Sequence, residues 1–296
     1  MEVIKKLNHV QSRLLVWGDP FSKLASEVIV CITGNPGIID FYYEFCSELH
    51  RDTELPVCLI GQSGHDIIPE QESCDLKDKG YLFDLNGQVE HKLDLINNHI
   101  HKGCRLHLIG HSIGAWMILE SIQKSPHVME RVASINLLFP TLQEMAVTKN
   151  GFFVNTIRRI HTFALILLTL FNLLPDYFLR LIAKLYLKVK NLPSHFTSRL
   201  IKYVNPTIME KVLFLGYDEM DRVRTLNTKA IETAKNVTNV IYSENDGWVP
   251  LKYMEDLKKF LPLQQMTEVP YTHEFVLKSS ENVAAMVSKY IKMKKK

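Results

Sequence analysis

The chain has 296 residues, of which 46% are hydrophobic and 23% are charged, and its formal net charge is +3. This length and apolar content suffice for one large domain or two small ones with a buried core, and they exclude a disordered chain. Lys and Arg are spread along the sequence, and the one dense basic run is residues 289–296. We therefore predict that the protein has no nucleic-acid-binding surface.

The cysteines indicate free thiols in a reducing compartment. Their number is odd, and none has the C-x-x-C or C-x-x-H spacing of a metal site, so we expect no metal and no cofactor. We interpret them as buried thiols; they are Cys31, Cys46, Cys58, Cys74 and Cys104. Residues 1–20 mix charged and apolar side chains without an uninterrupted apolar core, which argues against a secretory signal.

Short β-branched runs alternate with longer helical patterns, which is typical of a mostly parallel central sheet flanked by helices. The predicted strands are residues 14–17, 27–33, 56–61, 105–109, 132–138, 237–242 and 266–269. The predicted helices are residues 40–49, 86–99, 115–123, 251–260 and 282–291.

One long stretch interrupts this alternation. Residues 140–235 are largely helical and contain no convincing strand, whereas connections between elements usually have about 2 to 6 residues. We interpret the stretch as an insertion that forms a cap. The chain then divides into a first core part at 1–140, a helical cap insertion at 141–235 and a second core part at 236–296.

The strongest motif is a G-x-S-x-G run that follows a predicted strand directly and leads into a helix. It reads Gly110-His111-Ser112-Ile113-Gly114. In this context the motif is the nucleophile elbow of the α/β-hydrolase fold, and it predicts Ser112 as a nucleophile. The turn strains the serine backbone and leaves no room for side chains two positions away, where both residues are glycine. His111 precedes the serine on the strand, and we interpret it as structural.

A serine hydroxyl is a weak nucleophile, so it needs a base, and the base needs an acid that orients it. In this fold the order along the chain is serine, acid, histidine. Asp246 follows the strand at 237–242, and His273 comes after it on a short turn. Both positions lie at the carboxyl edge of the predicted sheet. We predict a triad of Ser112, Asp246 and His273, with Glu244 as the alternative acid.

Acyl transfer also requires donors for the oxyanion that forms on the carbonyl group, usually two backbone N–H groups. The first is predicted from Ile113, directly after the nucleophile. The second is predicted from the loop after an early strand, where Asn35 is the choice because Pro36 has no N–H. A simple Asn-Pro-Gly turn is the alternative interpretation of that loop.

These motifs together resemble the lipid droplet-associated hydrolase family of eukaryotes. The matching pieces are Gly34-Asn35-Pro36-Gly37 with Phe41-Tyr42, residues 85–92 with Gln88, residues 107–114, Asp246-Gly247-Trp248-Val249-Pro250 and His273-Glu274-Phe275-Val276. The resemblance implies a serine lipid hydrolase on the cytosolic face of lipid droplets and the endoplasmic reticulum, with cholesterol esters as a proposed substrate. It assigns the nucleophile, acid and base to the same three residues.

The cap contains the most apolar stretch of the chain, residues 162–174. As a helix it reaches about 20 Å, too short for a bilayer core of about 30 Å. Pro175 breaks it, and an amphipathic pattern follows at 177–187, so we predict insertion into one leaflet of a droplet monolayer or an endoplasmic reticulum membrane. The predicted contact residues are Phe163, Leu165, Ile166, Leu167, Leu168, Leu170, Phe171, Leu173 and Leu174. An ordinary lid over the active site is the alternative.

Three functional hypotheses remain open at the level of sequence. The first is a serine esterase or lipase that acts on lipid esters through an acyl-enzyme. The second is a protein that binds droplets or the endoplasmic reticulum and influences lipid storage with marginal catalysis. The third is an enzyme for small soluble esters or thioesters.

Overall fold

A twisted sheet of eight strands, in the order β1-β2-β4-β3-β5-β6-β7-β8, forms the centre of the molecule. The computed structural model describes residues 1–68, 76–202, 204–260 and 265–293, so Cys74 lies outside the described residues. The strands are β1 (Glu2–Leu7), β2 (Val10–Trp17), β3 (Glu27–Ile32), β4 (Val57–Ile60), β5 (Arg105–His111), β6 (Val132–Leu138), β7 (Thr238–Tyr242) and β8 (Gln265–Glu268).

The sheet is mostly parallel, as the sequence predicts. Strands β1 and β2 are antiparallel to their neighbours, and every pairing from β4 across to β8 is parallel. The central strands β3, β5 and β6 are buried along almost their whole length. Helices cover both faces of a parallel sheet, which explains why these strands are continuous runs of apolar residues.

The first strand, β1, was not among the predicted strands. It is an edge strand whose residues alternate between exposed and partly buried positions, and its partner β2 begins four residues before the predicted start at 14. Edge strands carry charged side chains that discourage pairing with other chains. Because Lys5 and Lys6 interrupt the apolar pattern of β1, a search for apolar runs does not detect this strand.

Helices pack on both faces of the sheet. They are α1 (Tyr43–Thr53), α2 (Leu76–Lys79), α3 (Leu85–Asp94), α4 (Ile113–Lys124), α5 (Pro126–Arg131), α6 (Lys149–Arg159), α7 (His161–Asn172), α8 (Asp176–Val189), α9 (Thr197–Lys202), α10 (Pro206–Arg222), α11 (Thr228–Ala234), α12 (Leu251–Lys258) and α13 (Ser280–Met293). Helices α1 and α13 bury Phe45 and Val287 in one core, and α4 and α12 bury Met117 and Met254 in the other.

Between β6 and β7 the described residues form helices α6 to α11 and no strand. Helix α7 carries the apolar stretch and meets α6 at a bend of 83°. Among the described helices, none alone is long and apolar enough to cross a membrane, although the bent pair of α6 and α7 passes that test together. The four described cysteines, Cys31, Cys46, Cys58 and Cys104, are free and buried, which confirms that prediction for them.

Candidate active site

The turn from β5 into α4 holds Ser112 in a strained backbone conformation, with φ 55° and ψ −123°. Neither flanking glycine has room for a side chain. A Cβ on Gly110 would lie 2.6 Å from the carbonyl oxygen of Gly114, and one on Gly114 would lie 2.6 Å from that of Ile32. Such close approaches require glycine, so the local sequence explains how the elbow presents the serine at the carboxyl edge of the sheet.

The three predicted triad residues lie within hydrogen-bond distance of one another. Nδ1 of His273 is 2.7 Å from Oδ2 of Asp246, and Nε2 of His273 is 2.9 Å from Oγ of Ser112. Each of the three residues is only 7% exposed. With its proton on Nδ1, the imidazole donates to the carboxylate and accepts from the hydroxyl, the arrangement in which a histidine activates a serine.

The structure distinguishes between the two acid candidates. The other oxygen of Asp246, Oδ1, accepts hydrogen bonds from the backbone N–H groups of Trp248, at 2.7 Å, and Val249, at 3.1 Å. These bonds fix the carboxylate in the turn after β7. Glu244 is exposed, and its carboxylate accepts a hydrogen bond from Asn245. The carboxylate beside the imidazole is therefore that of Asp246.

His111 connects the loops around the site and also forms part of the cavity wall. Its Nε2–H donates to the carbonyl oxygen of His273 at 2.9 Å, and its Nδ1 lies 2.6 Å from the hydroxyl oxygen of Tyr42. That oxygen in turn accepts from the backbone N–H of Gly34 at 2.9 Å. Burial lowers the pKa of His111 well below its ordinary value, so the ring is neutral. These contacts agree with the structural role predicted for His111.

The loop of residues 33–37, which we call the oxyanion loop, lies against the elbow. A Cβ on Gly34 would be 3.0 Å from Cβ of Ser112 and 3.3 Å from Nδ1 of His111. Asn35, the next residue, makes no backbone hydrogen bond to the described residues through its N–H. Ile113 is the first residue of α4, where N–H groups have no partner within the helix. The two predicted donors therefore flank the serine from separate elements.

Buried polar side chains behind the oxyanion loop fix its carbonyl groups. Nε2 of Gln62 donates to the carbonyl oxygen of Thr33 at 2.7 Å, and Nδ1 of His65 donates to that of Pro36 at 2.6 Å. Nζ of Lys92 donates to Oε1 of Gln62 at 2.7 Å. Burial lowers the pKa of His65 to about 4 and that of Lys92 well below its ordinary value.

Sequence reasoning assigned no role to these supporting residues. Gln62 and His65 follow β4 at the same edge of the sheet as the elbow. Polar residues directly after a buried parallel strand are a signal that points to this edge. Lys92 lies in a stretch that carries the family resemblance, but its contact with Gln62 joins residues 30 positions apart.

The cap also reaches the oxyanion loop. Nδ2 of Asn35 donates to the carbonyl oxygen of Val212 at 3.1 Å and to Oε1 of Glu219 at 3.0 Å, both on α10. Glu219 is buried, and burial raises its pKa from an ordinary 4.5 to about 8. No local pattern in the sequence marks Glu219 as part of the site.

An apolar cavity of about 400 Å³ opens beside His273. Core residues such as Phe41 and Val276 form one wall, and the region after α7 supplies Leu187, Phe196 and Leu200 for the other. A volume of this size is typical of small-molecule sites, which are mostly apolar with a few polar groups. The walls therefore suit a hydrocarbon chain next to the candidate base.

Helix α9, which contributes to this cavity, is tied to the core by ion pairs. The guanidinium group of Arg199 donates to both carboxylate oxygens of Glu44, each at 2.7 Å. Lys202 pairs with Asp40 in the turn before α1. Among the described residues, no group of three or more His, Cys, Asp or Glu side chains is arranged to hold a metal ion.

The predicted membrane-contact residues lie on α7 and in the turn directly after it, and most of them are exposed. Phe163, Ile166, Leu167, Leu170, Leu173 and Leu174 are exposed, whereas Leu165, Leu168 and Phe171 are half-buried. Helix α8 adds further exposed apolar side chains, which are Tyr177, Phe178, Leu181, Ile182, Leu185, Tyr186 and Val189. Many large apolar side chains are thus exposed on two consecutive helices, whereas in monomeric soluble proteins such side chains are usually exposed singly.

The mostly parallel sheet, its covering helices and the serine elbow define an α/β-hydrolase. Solved structures share this fold: a meta-cleavage product hydrolase aligns over 98% of both chains with a TM-score of 0.66 at 14% identity. The chain belongs to the family described as lipid-droplet associated hydrolase, whose model matches residues 25–276. The family resemblance predicted from the sequence is thereby confirmed.

Relatives named lipid droplet-associated hydrolase match almost the whole chain. The one from Drosophila melanogaster is 34% identical and covers 97% of this chain and 96% of its own length. The one from Homo sapiens is 28% identical over 93% of this chain and 89% of its own. A putative lipase from Acinetobacter baumannii shares the fold, with a TM-score of 0.66, 14% identity and coverage of 100% and 92%. Family and fold together support a lipid hydrolase.

Proposed function

We propose that the protein hydrolyses carboxylic esters of lipids at the surface of lipid droplets, with Ser112 as nucleophile, His273 as base and Asp246 as acid. The observation that carries the proposal is the pair of contacts made by the imidazole, 2.7 Å to the carboxylate and 2.9 Å to the hydroxyl. No other serine, acid and histidine among the described residues are joined in this way with the serine at an elbow.

In the first half of the reaction, Oγ of Ser112 attacks the ester carbonyl carbon while Nε2 of His273 takes the hydroxyl proton. The carbonyl oxygen becomes an oxyanion that accepts hydrogen bonds from the N–H groups of Asn35 and Ile113. The bond between the carbonyl carbon and the alcohol oxygen then breaks, and the alcohol leaves with the proton from His273. The acyl group stays on Ser112 as an ester.

In the second half, a water molecule repeats the attack. His273 takes a proton from the water, the oxygen of the water forms a bond with the acyl carbon, and the bond to Oγ of Ser112 breaks. The serine recovers its proton from His273, and the fatty acid leaves. Asp246 holds the imidazole in the required tautomer and stabilises its charged form in both halves.

The substrate class follows from the cavity and the cap. The cavity is apolar and lies beside His273, and α8 contributes Leu187 to its wall while exposing Leu181 and Leu185 to the outside. Residues 141–235 then act as a cap that binds the lipid surface and lines the substrate site. We propose neutral lipid esters as substrates, cholesterol esters included, taken from a droplet monolayer or from the cytosolic face of the endoplasmic reticulum membrane.

Turnover of a lipid panel by the wild type and Ser112→Ala tests this function. The panel contains a triacylglycerol, a cholesterol ester and a short-chain nitrophenyl ester, each with and without phospholipid-coated emulsion. We expect hydrolysis of the long-chain esters on emulsion, reduced at least about a thousandfold in Ser112→Ala. Equal hydrolysis by the two proteins contradicts the proposal. Turnover of only the short soluble ester supports the third hypothesis, a small-ester hydrolase.

A second candidate function is binding to droplets or the endoplasmic reticulum without significant catalysis. The exposed apolar side chains of α7 and α8 favour it, because they provide a lipid-binding surface whether or not the serine reacts. In cells, Ser112→Ala then preserves every effect on lipid storage, and removal of residues 162–187 abolishes them. Loss of the effects with Ser112→Ala supports the enzyme instead.

A further inference from the structure

The side-chain amide of Asn35 is held by the cap rather than by the core. Its two acceptors, the carbonyl oxygen of Val212 and Oε1 of Glu219, lie on one face of α10. Gly216 lies between them on that face, and a Cβ there would be 3.5 Å from Nδ2 of Asn35. The spacing of four and three residues is the repeat that places side chains on one helical face. The residue that supplies a proposed oxyanion donor is therefore seated in a groove of a cap helix.

The rest of the oxyanion loop is fixed by the core. Gln62 binds the carbonyl of Thr33, His65 binds that of Pro36, and Tyr42 accepts from the N–H of Gly34. Gln62 also donates to the carbonyl oxygen of Gly34 at 3.4 Å, on the peptide unit that carries the Asn35 N–H, so the core holds one side of this peptide and the Asn35 side chain on α10 holds the other. The N–H that receives the oxyanion and the amide that α10 holds belong to the same residue.

The burial of Glu219 destabilises the folded protein unless another interaction offsets it. It is 3% exposed, and among the described residues no cation pairs with it. Most buried positions are occupied by apolar side chains, because these avoid the free-energy cost of desolvating a carboxyl group. Its hydrogen bond with the described residues is the one from Asn35. The contact with the oxyanion loop is what the carboxyl group provides and an apolar side chain does not.

We propose that Glu219 is a positioning residue, which fixes the Asn35 N–H toward the oxyanion by accepting a hydrogen bond from the Asn35 side chain. The inference rests on the proposed function, because it requires an oxyanion to form next to Ser112. Its consequence is that the cap completes the active site: α10 supplies the support for one of the two donors. A misplacement of about 1 Å in such a group lowers the rate by up to about 100-fold.

Hydrolysis of a water-soluble short-chain nitrophenyl ester by the purified full chain tests the inference, since this substrate needs no lipid surface. Glu219→Met removes the acceptor at similar volume and is expected to lower kcat about tenfold, with KM nearly unchanged. Glu219→Gln keeps a carbonyl acceptor and is expected to retain the wild-type kcat. Glu210→Met is the matched control on α10, because no hydrogen bond joins Glu210 to the oxyanion loop among the described residues.

Asn35→Ala keeps the backbone N–H and removes the held amide, so it provides a second variant if Glu219→Met does not fold. We expect the same tenfold loss of kcat, and no additional loss when the two substitutions are combined. Unchanged kcat in Glu219→Met or in Asn35→Ala overturns the inference, and so does a Glu219→Gln variant as slow as Glu219→Met. Activity that survives Ser112→Ala overturns the proposed function and the inference together, so the two failures are distinguishable.

Discussion

Two regions of the molecule have unusual patterns of burial. The carboxyl edge of the sheet buries polar side chains, whereas helices α7 and α8 expose apolar ones. At the carboxyl edge of the sheet, Asp246 and His273 are polar and yet buried, as is Lys92 on α3 behind the oxyanion loop, and each has hydrogen-bond partners. On α7 and α8, large side chains such as Leu170 and Leu185 are apolar and yet exposed. Buried polar groups and exposed apolar patches are both unfavourable for a soluble domain in water. We therefore propose that each region has a role other than stabilising the fold.

Substitutions in the two regions are expected to affect different properties of the protein. Removing a polar group at the sheet edge is expected to disrupt chemistry, since its partners remain buried without it. Removing one of the exposed apolar side chains of α7 or α8 is expected to leave the fold unchanged in water, because it makes little contact with the rest of the protein. Lipid binding is then the property that changes.

The largest expected effect concerns the acid. Asp246→Asn keeps the shape of the side chain but no longer holds the imidazole in the productive tautomer, so kcat for ester hydrolysis is expected to fall about 10⁴-fold. Glu244→Gln, two residues earlier and exposed, is the matched control and is expected to leave kcat unchanged. Steady-state kinetics of both variants decides the assignment. A large loss in Glu244→Gln with little in Asp246→Asn reverses it.

The second prediction tests the apolar surface. Replacing the exposed residues Leu167, Leu170, Leu181 and Leu185 together by serine is expected to weaken binding to phospholipid-coated emulsions by more than about tenfold, because four apolar side chains no longer enter the lipid. Flotation of the protein with the emulsion measures this change. Hydrolysis of a soluble short-chain ester is the internal control and is expected to stay at the wild-type level.

A core leucine provides the contrast for the same experiment. Leu108 on β5 is fully buried, and Leu108→Ala is expected to lower the free energy of unfolding by about 2 to 5 kcal/mol. The four serine substitutions on α7 and α8 are expected to change it much less. Urea denaturation measures both. A stability loss in the fourfold variant as large as that in Leu108→Ala indicates that α7 and α8 form an ordinary packed lid.

The third prediction concerns the close contact between the oxyanion loop and the elbow. Gly34→Ala places a methyl group 3.0 Å from Cβ of Ser112, so one of them must shift, and kcat is expected to fall about 10- to 100-fold. Gly80→Ala is the control, because its new methyl group meets Phe214 at an ordinary 3.4 Å. Kinetics with a soluble ester compares the two variants. Equal kcat values show that the loop does not shape the site.

The last prediction is a pH dependence of stability. Glu219 has a pKa of about 8 in the folded protein against an ordinary 4.5, so between these values the folded state binds a proton that the unfolded state lacks. The contribution of this group to the free energy of unfolding is fully present below about pH 4.5, and it is lost as the pH rises toward 8. Asp218 on the same helix adds to the shift through its charge.

Glu219→Gln has no such proton, so its stability relative to the wild type is expected to rise with pH across that window, by up to about 1.4 kcal/mol per pH unit. Urea denaturation at several pH values measures the difference between the two proteins. A constant difference from pH 5 to pH 8 shows that Glu219 is ionised in the folded protein.

Much of the fold is predictable from the sequence because parallel strands buried on both faces must be apolar. The runs at β3, β5 and β6 are therefore visible without any structure. The elbow is visible for a second reason, since only glycine fits on either side of Ser112. Strand β1 is not predicted from the sequence, because an edge strand carries charged side chains that interrupt the apolar pattern.

The candidate site is predictable only where chemistry restricts the residue type. A serine at an elbow requires an acid and a histidine later in the chain, which predicts His273 as the base and leaves Asp246 and Glu244 as candidates for the acid. The residues that support the oxyanion loop obey no such rule. Glu219 and Asn35 are 184 positions apart in the sequence. Many other polar residues of the cap are equally plausible partners for Asn35 until the packing of the helices is known.

Covalent labelling of Ser112 tests the central claim most directly. The purified native protein is treated with a fluorophosphonate, and the tryptic peptide of residues 106–124 is analysed by mass spectrometry. We expect one adduct, on Ser112, which disappears when the protein is unfolded first and in the Asp246→Asn variant. An unmodified peptide from the folded wild type, or an adduct that persists in Ser112→Ala, contradicts the assignment of Ser112 as the nucleophile.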